Sequence, residues 1–341
     1  MIIFNKITKT EAYVELTTEN GEKHIIPTSD VIFVNDESGF VSIKNTGSRK
    51  TIGLISEEDY DGGDEPIPYD KKYLTIEALE DGDLTFTKSN NTLYYSLDKT
   101  TWNPITSADT ISFHAGDKIM LKGTNMTVTS GAGIGTIKFS GNHNVYGNIL
   151  TLISGDEFPQ QFVYSTYQFR NLFNGDTKLI SAENLILLAT TLASNCYNQM
   201  FRGCTSLTTT PALPVTTLVR DCYHGMFQNC TSLVTAPELP ATTLVDNCYM
   251  NMFNGCTNLT IAPELPATTL ADSCYRFMFY NCRSLNHIKA MFTTTPSDAY
   301  TNNWVFNVAS SGTFVKNSAA TWNVSGYNGI PNGWTVETAS E

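Results

Sequence analysis

All eight cysteines of this chain fall on one grid. Cys196, Cys222, Cys248 and Cys274 recur every 26 residues, and Cys204, Cys230, Cys256 and Cys282 follow with the same step. A fixed period on this scale marks stacked copies of one supersecondary unit, none of which can bury its apolar side alone. The unit reads Cys-Tyr-x-x-Met-Phe-x-x-Cys-x-x-Leu, from Cys196 to Leu207 in the first clear copy and from Cys274 to Leu285 in the last. A Pro-x-Leu-Pro step recurs at 211–214, 237–240 and 263–266, and a Thr-Thr-Leu at 190–192, 216–218, 242–244 and 268–270. Tyr197, Met200, Phe201 and Cys204 have the i, i+3, i+4, i+7 spacing of a buried helical face, which predicts one short helical turn per unit. Leu207 to Thr210 suit a short strand, which Pro211 ends because proline cannot donate to a ladder.

End units of such an array should be atypical. Phe169, Leu172, Phe173 and Leu179 read as a degenerate first unit, with Arg170 and Asp176 near the places where cysteines would sit. Trp304, Val305 and Phe306 read as a last imperfect unit, and Trp322 to Trp334, with Gly326, Gly329 and Gly333, as a cap. The run Met-Phe-x-x-Cys-Thr-Ser-Leu resembles the Ala-Phe-x-x-Cys-x-x-Leu core of BspA-like leucine-rich repeats, over roughly residues 160–335. It departs from that family in its period and in the added Pro-x-Leu-Pro step. Such repeats occur in bacterial surface proteins and in phages of gut Bacteroidetes. The resemblance therefore implies a leucine-rich-repeat-type solenoid and adhesive binding.

Charge narrows the partners. A formal net charge of −12 argues against nucleic acid and against an anionic membrane surface. No apolar run is long enough for a transmembrane helix, and the N-terminal residues after Met1 lack the basic and apolar segments of a secretory signal. A virion protein assembled inside the host cell needs neither. An even cysteine count invites disulfides, but the exact repeat and cytoplasmic assembly favour buried free thiols filling a core column. The eight-residue step between cysteines is not a zinc spacing, and no histidine recurs on the grid. No cofactor is expected.

Residues 1–55 read as a small all-β module, with strands expected at 2–7, 12–18, 24–27, 31–34, 40–44 and 51–55. So short a module would gain stability by docking on a partner or a symmetry mate; it resembles the short β-modules that lead other phage appendage proteins, and that resemblance implies an anchor to other virion proteins. Residues 56–72 are an acidic Gly/Pro linker; its Asp59, Asp61 and Asp64 lack the full spacing of a calcium loop. Residues 73–157 alternate apolar and polar over seven strand-like runs, as an Ig-like or jelly-roll β-sandwich would, and Trp102 reads as a packing residue. Residues 158–341 then form the repeat solenoid and its cap. The fold class expected is multidomain and mainly β.

Catalytic constellations are missing. His24, His114, His143, His224 and His287 are scattered, no Gly-x-Ser-x-Gly is present, and the glycine run 131–135 lacks a following lysine and reads as a hairpin loop. In a stacked array the invariant positions build the core and the variable ones face solvent. The variable columns supply the candidate ligand-binding residues Arg202, Arg220, His224, Arg276, Phe277 and Tyr280, since aromatic side chains beside arginine suit a sugar or a protein partner. The function expected is a non-enzymatic phage virion appendage, a head or tail fibre. It is anchored through residues 1–55, assembles as a homo-oligomer and binds a bacterial surface glycan or protein. The alternatives are a bacterial cell-surface adhesin and a surface glycan depolymerase.

Overall fold

The computed structural model describes residues 73–87, 92–107, 109–123, 133–156, 165–187 and 192–339, together with the backbone of five strands in residues 1–72. The chain divides into two compact units, 1–72 and 73–341, and is mainly β. In the first unit β1 (Phe4–Lys9), β2 (Tyr13–Thr18) and β3 (Lys23–Pro27) form an antiparallel sheet, and β4 (Val31–Asn35) pairs antiparallel with β5 (Val41–Asn45). The strand expected at 51–55 and the acidic run with Asp59, Asp61 and Asp64 lie outside the described residues.

The second unit opens with two sheets sharing one hydrophobic core. One has the order β10-β7-β12, from β7 (Gly82–Phe86), β10 (Thr110–Phe113) and β12 (Ile137–Phe139). The other runs from β6 (Leu74–Ala78) through β8 (Leu93–Ser96), β9 (Asn103–Ile105), β11 (Lys118–Gly123), β13 (His143–Asn148) and β14 (Leu179–Ser181), in the order β14-β13-β6-β11-β8-β9; β15 (Leu185–Ile186) also pairs with β13. Two sequence expectations are corrected here. Strand β9 escapes a propensity reading because it contains Pro104, and it sits at the sheet edge, where a missing N–H does no harm. The last of the seven strand-like runs spans residues 145–152 in the sequence, but β13 stops at Asn148, whose side-chain oxygen accepts the Leu150 N–H and turns the chain into α1 (Thr151–Ser154). Trp102 is half-buried: Lys122 Nζ lies 4.1 Å from its ring centroid, and its indole N–H donates to Lys99 O.

From residue 167 onward the backbone does something simpler than the expected helical turn. The N–H groups of Asn198, Met200, Arg202 and Cys204 each donate three residues back, to Asn195, Tyr197, Gln199 and Phe201. The alternate N–H groups of Tyr197, Gln199, Phe201 and Gly203 donate forward into the next copy, to Cys222, His224, Met226 and Gln228. The unit is thus a ribbon of consecutive β-turns. Every fourth residue has positive φ: Asn195, Gln199 and Gly203, then Asp221, Gly225 and Asn229, then Asn247, Asn251 and Gly255. Positive φ at the third residue of a four-residue turn is what a type II turn requires, and it cannot be met inside an α-helix. The i, i+3, i+4, i+7 spacing has the buried face right, because Tyr197, Met200, Phe201 and Cys204 are all fully buried, and the backbone wrong.

Stacking the ribbons aligns identical side chains. Tyr197, Tyr223, Tyr249 and Tyr275 form one ladder, with centroids 5.8–6.1 Å apart, and Phe201, Phe227, Phe253 and Phe279 another at 5.6–5.8 Å. Trp304 closes both, packing on Tyr275 and on Phe279. Cys230, Cys256 and Cys282 each donate an S–H to a phenylalanine carbonyl of the preceding copy, at 3.0–3.1 Å. All eight cysteines are buried free thiols. Burial disfavours the thiolate and pushes Cys196, Cys248, Cys256 and Cys274 up to about 12. The native chain is therefore expected to leave a thiol reagent such as DTNB unconsumed at mildly alkaline pH, and to release eight equivalents after unfolding. Rapid labelling of the native chain would contradict this packing.

One column explains itself sterically. Down the array it reads Gly175, Gly203, Asn229, Gly255, Asn281, Asn307, all with positive φ. A Cβ on Gly255 would run into Asn229 Oδ1 as that amide is placed, whereas one pair further on Asn307 follows Asn281 and donates its Nδ2 to Asn281 Oδ1. Gly255→Ala is expected to lower stability by about 1–3 kcal/mol through left-handed strain and this clash; an unchanged denaturation midpoint would refute the steric reading.

The array is closed at both ends. At the last end β16 (His287–Ala290), β17 (Thr313–Lys316) and β18 (Thr335–Thr338) form a parallel sheet, with α2 (Asp298–Thr301) between the first two. The indole N–H groups of Trp304, Trp322 and Trp334 reach the carbonyls of Gly329, Phe292 and Ala309. At the first end the register step is 28 rather than 26: Phe169 stacks on Tyr197 and Phe173 on Phe201. The residue in the place of the first cysteine is therefore Gln168, not Arg170, while Asp176 does stand where Cys204 stands one copy later. The glycine run is no free hairpin loop at its described end. Ile134 and Ile137 donate to Gln168 O and Leu172 O, so this segment covers the first ribbon.

Candidate binding surface

The outward columns of the ribbon are those that vary. One reads Arg170, Asn198, His224, Met250, Arg276, Asn302; another Asn171, Gln199, Gly225, Asn251, Phe277, Asn303; a third Asn174, Arg202, Gln228, Asn254, Tyr280, Phe306. Much of this surface is self-bonded amide. Asn174, Asn198 and Asn254 donate to the side-chain oxygens of Asn171, Asn195 and Asn251, each three residues back, at 2.8–2.9 Å.

The six candidate residues fall into separate places. Arg220 is exposed, and its Nε lies 3.3 Å from Asp221 Oδ2. His224 is half-buried, with Nδ1 3.3 Å from Asp221 Oδ1 and Nε2 3.5 Å from Asn251 Nδ2. It repeats the amide pairing of Asn198 with Asn195 in another chemistry. Burial pushes its pKa below the ordinary imidazole value, against the opposing hydrogen bond and charge of Asp221. Arg202 is half-buried and makes no described side-chain contact with either group.

Arg276, Phe277 and Tyr280 do come together. The Arg276 guanidinium lies 5.0 Å from the Phe277 centroid, and Phe277 meets Tyr280 edge-on at 5.7 Å. Two residues not on the candidate list extend the group. Tyr280 stacks on Phe306 at 4.8 Å and 14°, and Phe306 meets Tyr327 at 4.7 Å. Phe306 was legible, since it stands 26 residues after Tyr280 in the same column; Tyr327, from the cap, had no such signal. The cap loop is held in place: Val305 N–H donates to Tyr327 O, Asn303 N–H to Asn328 Oδ1, and Asn328 Nδ2 to Asp298.

A buried polar centre lies apart from this surface. His143 Nε2 is 3.3 Å from Asp176 Oδ2, with both side chains almost fully buried, and His143 Nδ1 is 3.0 Å from Gly141 O. Asp176 also accepts the N–H groups of Phe139 and Lys178. This carboxylate takes a cysteine's place for a local reason. Inside the array the thiols of this column, Cys204, Cys230, Cys256 and Cys282, each donate to a phenylalanine carbonyl of the preceding copy. At the first level the preceding element presents donors, so the position needs an acceptor. Both ring nitrogens of His143 are thereby committed, and the neighbouring Cys204 thiol is pushed well above its ordinary value by burial and by the Asp176 charge. Neither group is placed to act as a nucleophile or as a base toward solvent. Among the described residues no three His, Cys, Asp or Glu side chains converge as a metal site would require, and no helix is long and apolar enough to cross a membrane. No family model, no curated protein and no solved structure matches this chain.

Proposed function

We propose that this chain is a non-enzymatic binding protein of the phage virion, a head- or tail-fibre appendage. In this reading the 26-residue copies form a leucine-rich-repeat-type solenoid behind a β-sandwich, and the solenoid's outward columns meet a bacterial surface glycan or protein. One observation carries it: the inward columns repeat Tyr, Met, Phe and Cys unchanged from 197 to 282, while the outward columns change at nearly every level. A scaffold kept constant under a varying surface is the economy of a recognition array. Further support comes from the cross-copy hydrogen bonds and aromatic ladders, which give each copy contacts to its neighbours. The proposed anchor to other virion proteins is residues 1–55. Several copies on one particle would raise avidity without new contacts.

The test is mass spectrometry of purified phage particles from cultures producing the chain, with a form lacking residues 1–55 compared in parallel. Co-purification of the full chain alone is the expected result. Recovery in host envelope fractions and not in particles would replace the virion assignment with a bacterial surface adhesin.

A further inference from the structure

We infer that the aromatic row Phe277–Tyr280–Phe306–Tyr327, flanked by Arg276, is a binding site for an uncharged carbohydrate. The inference rests on the binding-protein reading and gives it a place and a ligand class. Its first ground is cost. Phe277 has φ 54°, in a column that elsewhere holds Asn171, Gln199, Gly225, Asn251 and Asn303 at the same sign of φ. The left-handed region suits glycine and asparagine and penalises an aromatic side chain. A bulky residue kept there, where neighbouring copies show the cheaper choices, marks a position held for something other than folding. Among the described residues Tyr167 is the other aromatic with positive φ, but its described ring contact is Arg170, not a row of rings.

The second ground is the state of the patch. Tyr327 is 55% exposed, and Phe277, Tyr280 and Phe306 are only half-buried although they touch one another. The third ground is what surrounds the rings. Asn251, Asn254, Asn281, Asn302, Asn303, Asn307 and Asn328 give the same region an amide surface, several of them already fixed in pairs such as Asn307 Nδ2 to Asn281 Oδ1 at 2.8 Å. Amides donate and accept in equal measure, as sugar hydroxyls do, and ring surfaces take the apolar C–H faces of a sugar. Arg276 is the arginine of the patch in a chain of net charge −12, and Asp298 bonds to Asn302 and Asn328 of the same region, which disfavours an anionic ligand. A protein partner would also accept rings beside arginine, but it would gain less from a rim of fixed amides.

The experiment is a printed array of neutral and acidic glycans probed with the full chain and with Phe277→Asn, Tyr280→Asn and Tyr327→Ser, each alongside a thermal melt. The expected result is binding to neutral glycans, weakened about tenfold or more in each variant. Phe277→Asn should at the same time raise the melting temperature, since asparagine relieves the left-handed strain. A purely structural row would lose stability and leave affinity alone. Binding confined to acidic glycans, or neutral binding that survives all three changes, overturns the site. If neutral binding instead falls with Arg220→Ser or His224→Asn, the binding-protein reading survives and its location here fails. A blank array, with envelope binding abolished by protease, assigns the surface to a protein partner and overturns the carbohydrate.

Discussion

Raising the pH from about 9 to about 11 is expected to unfold the unit 73–341 cooperatively, because the folded chain holds its thiols protonated and the unfolded chain does not. Burial raises the pKa of all eight cysteines, to about 12 for Cys196, Cys248, Cys256 and Cys274 and well above the ordinary value for Cys204, Cys222, Cys230 and Cys282. Below the unfolded thiol value near 9 both states are protonated, and pH has no leverage through these groups. Above it the unfolded state binds fewer protons than the native state, so stability falls as pH rises toward the folded value. Each thiol contributes about 1.4 kcal/mol per pH unit in that window. Over about two pH units all eight together exceed the whole stability of an ordinary domain, about 5–15 kcal/mol. Tyr249 and Tyr275, raised by the same burial, act in the same direction at higher pH. Far-ultraviolet circular dichroism against pH checks this. In Cys230→Ala/Cys256→Ala the alkaline midpoint should move upward relative to its neutral-pH stability. A native signal unchanged to about pH 11 would contradict the buried thiol columns.

The second expected result runs against the repeat itself. Asp176→Cys installs the residue that the column carries at Cys204, Cys230, Cys256 and Cys282, yet it should cost about 3–5 kcal/mol. Cysteine cannot accept from Phe139 N–H and Lys178 N–H as a carboxylate does, and it leaves His143 Nε2 without its buried partner. Asp176→Asn should be milder, because one oxygen still accepts. Adding His143→Leu to Asp176→Cys should recover part of the loss, since removing both members of a buried pair costs less than removing one. Urea denaturation of the native chain, Asp176→Cys, His143→Leu and the double variant gives the cycle. If Asp176→Cys were neutral or stabilising, the first copy would be an ordinary member of the array and the closing role of residues 134–143 would be wrong.

How much of this could be read from the residues follows from which interactions are local. The grid of cysteines is a periodic signal, and periodicity transmits burial: Tyr197, Met200, Phe201 and Cys204 lie inside, as do their equivalents through Cys282. The closing tryptophans were legible because an end must differ from the middle. Backbone type was not, because a turn ribbon and a helix bury the same spacing. The distinguishing signal was nevertheless in the chain. Asn195, Gln199 and Gly203, then Asp221, Gly225 and Asn229, place residues mostly tolerant of positive φ at every fourth position. Pro104 hid β9 for the same reason that it belongs there, at an edge. The Asp176–His143 contact was out of reach, since it joins two segments with no shared period. At the surface, composition named Arg276, Phe277 and Tyr280, but only packing separated them from Arg202, Arg220 and His224 and added Phe306 and Tyr327.

Sedimentation of the full chain with bacterial envelope preparations, with the soluble fraction assayed for released sugar, decides the proposal that this chain holds a surface and does not transform it. The account predicts saturable co-sedimentation above that of an unrelated protein of equal charge, with no soluble product accumulating over time. Steady release of oligosaccharide would make the chain a depolymerase, and sedimentation no better than the control would leave it without a surface to bind.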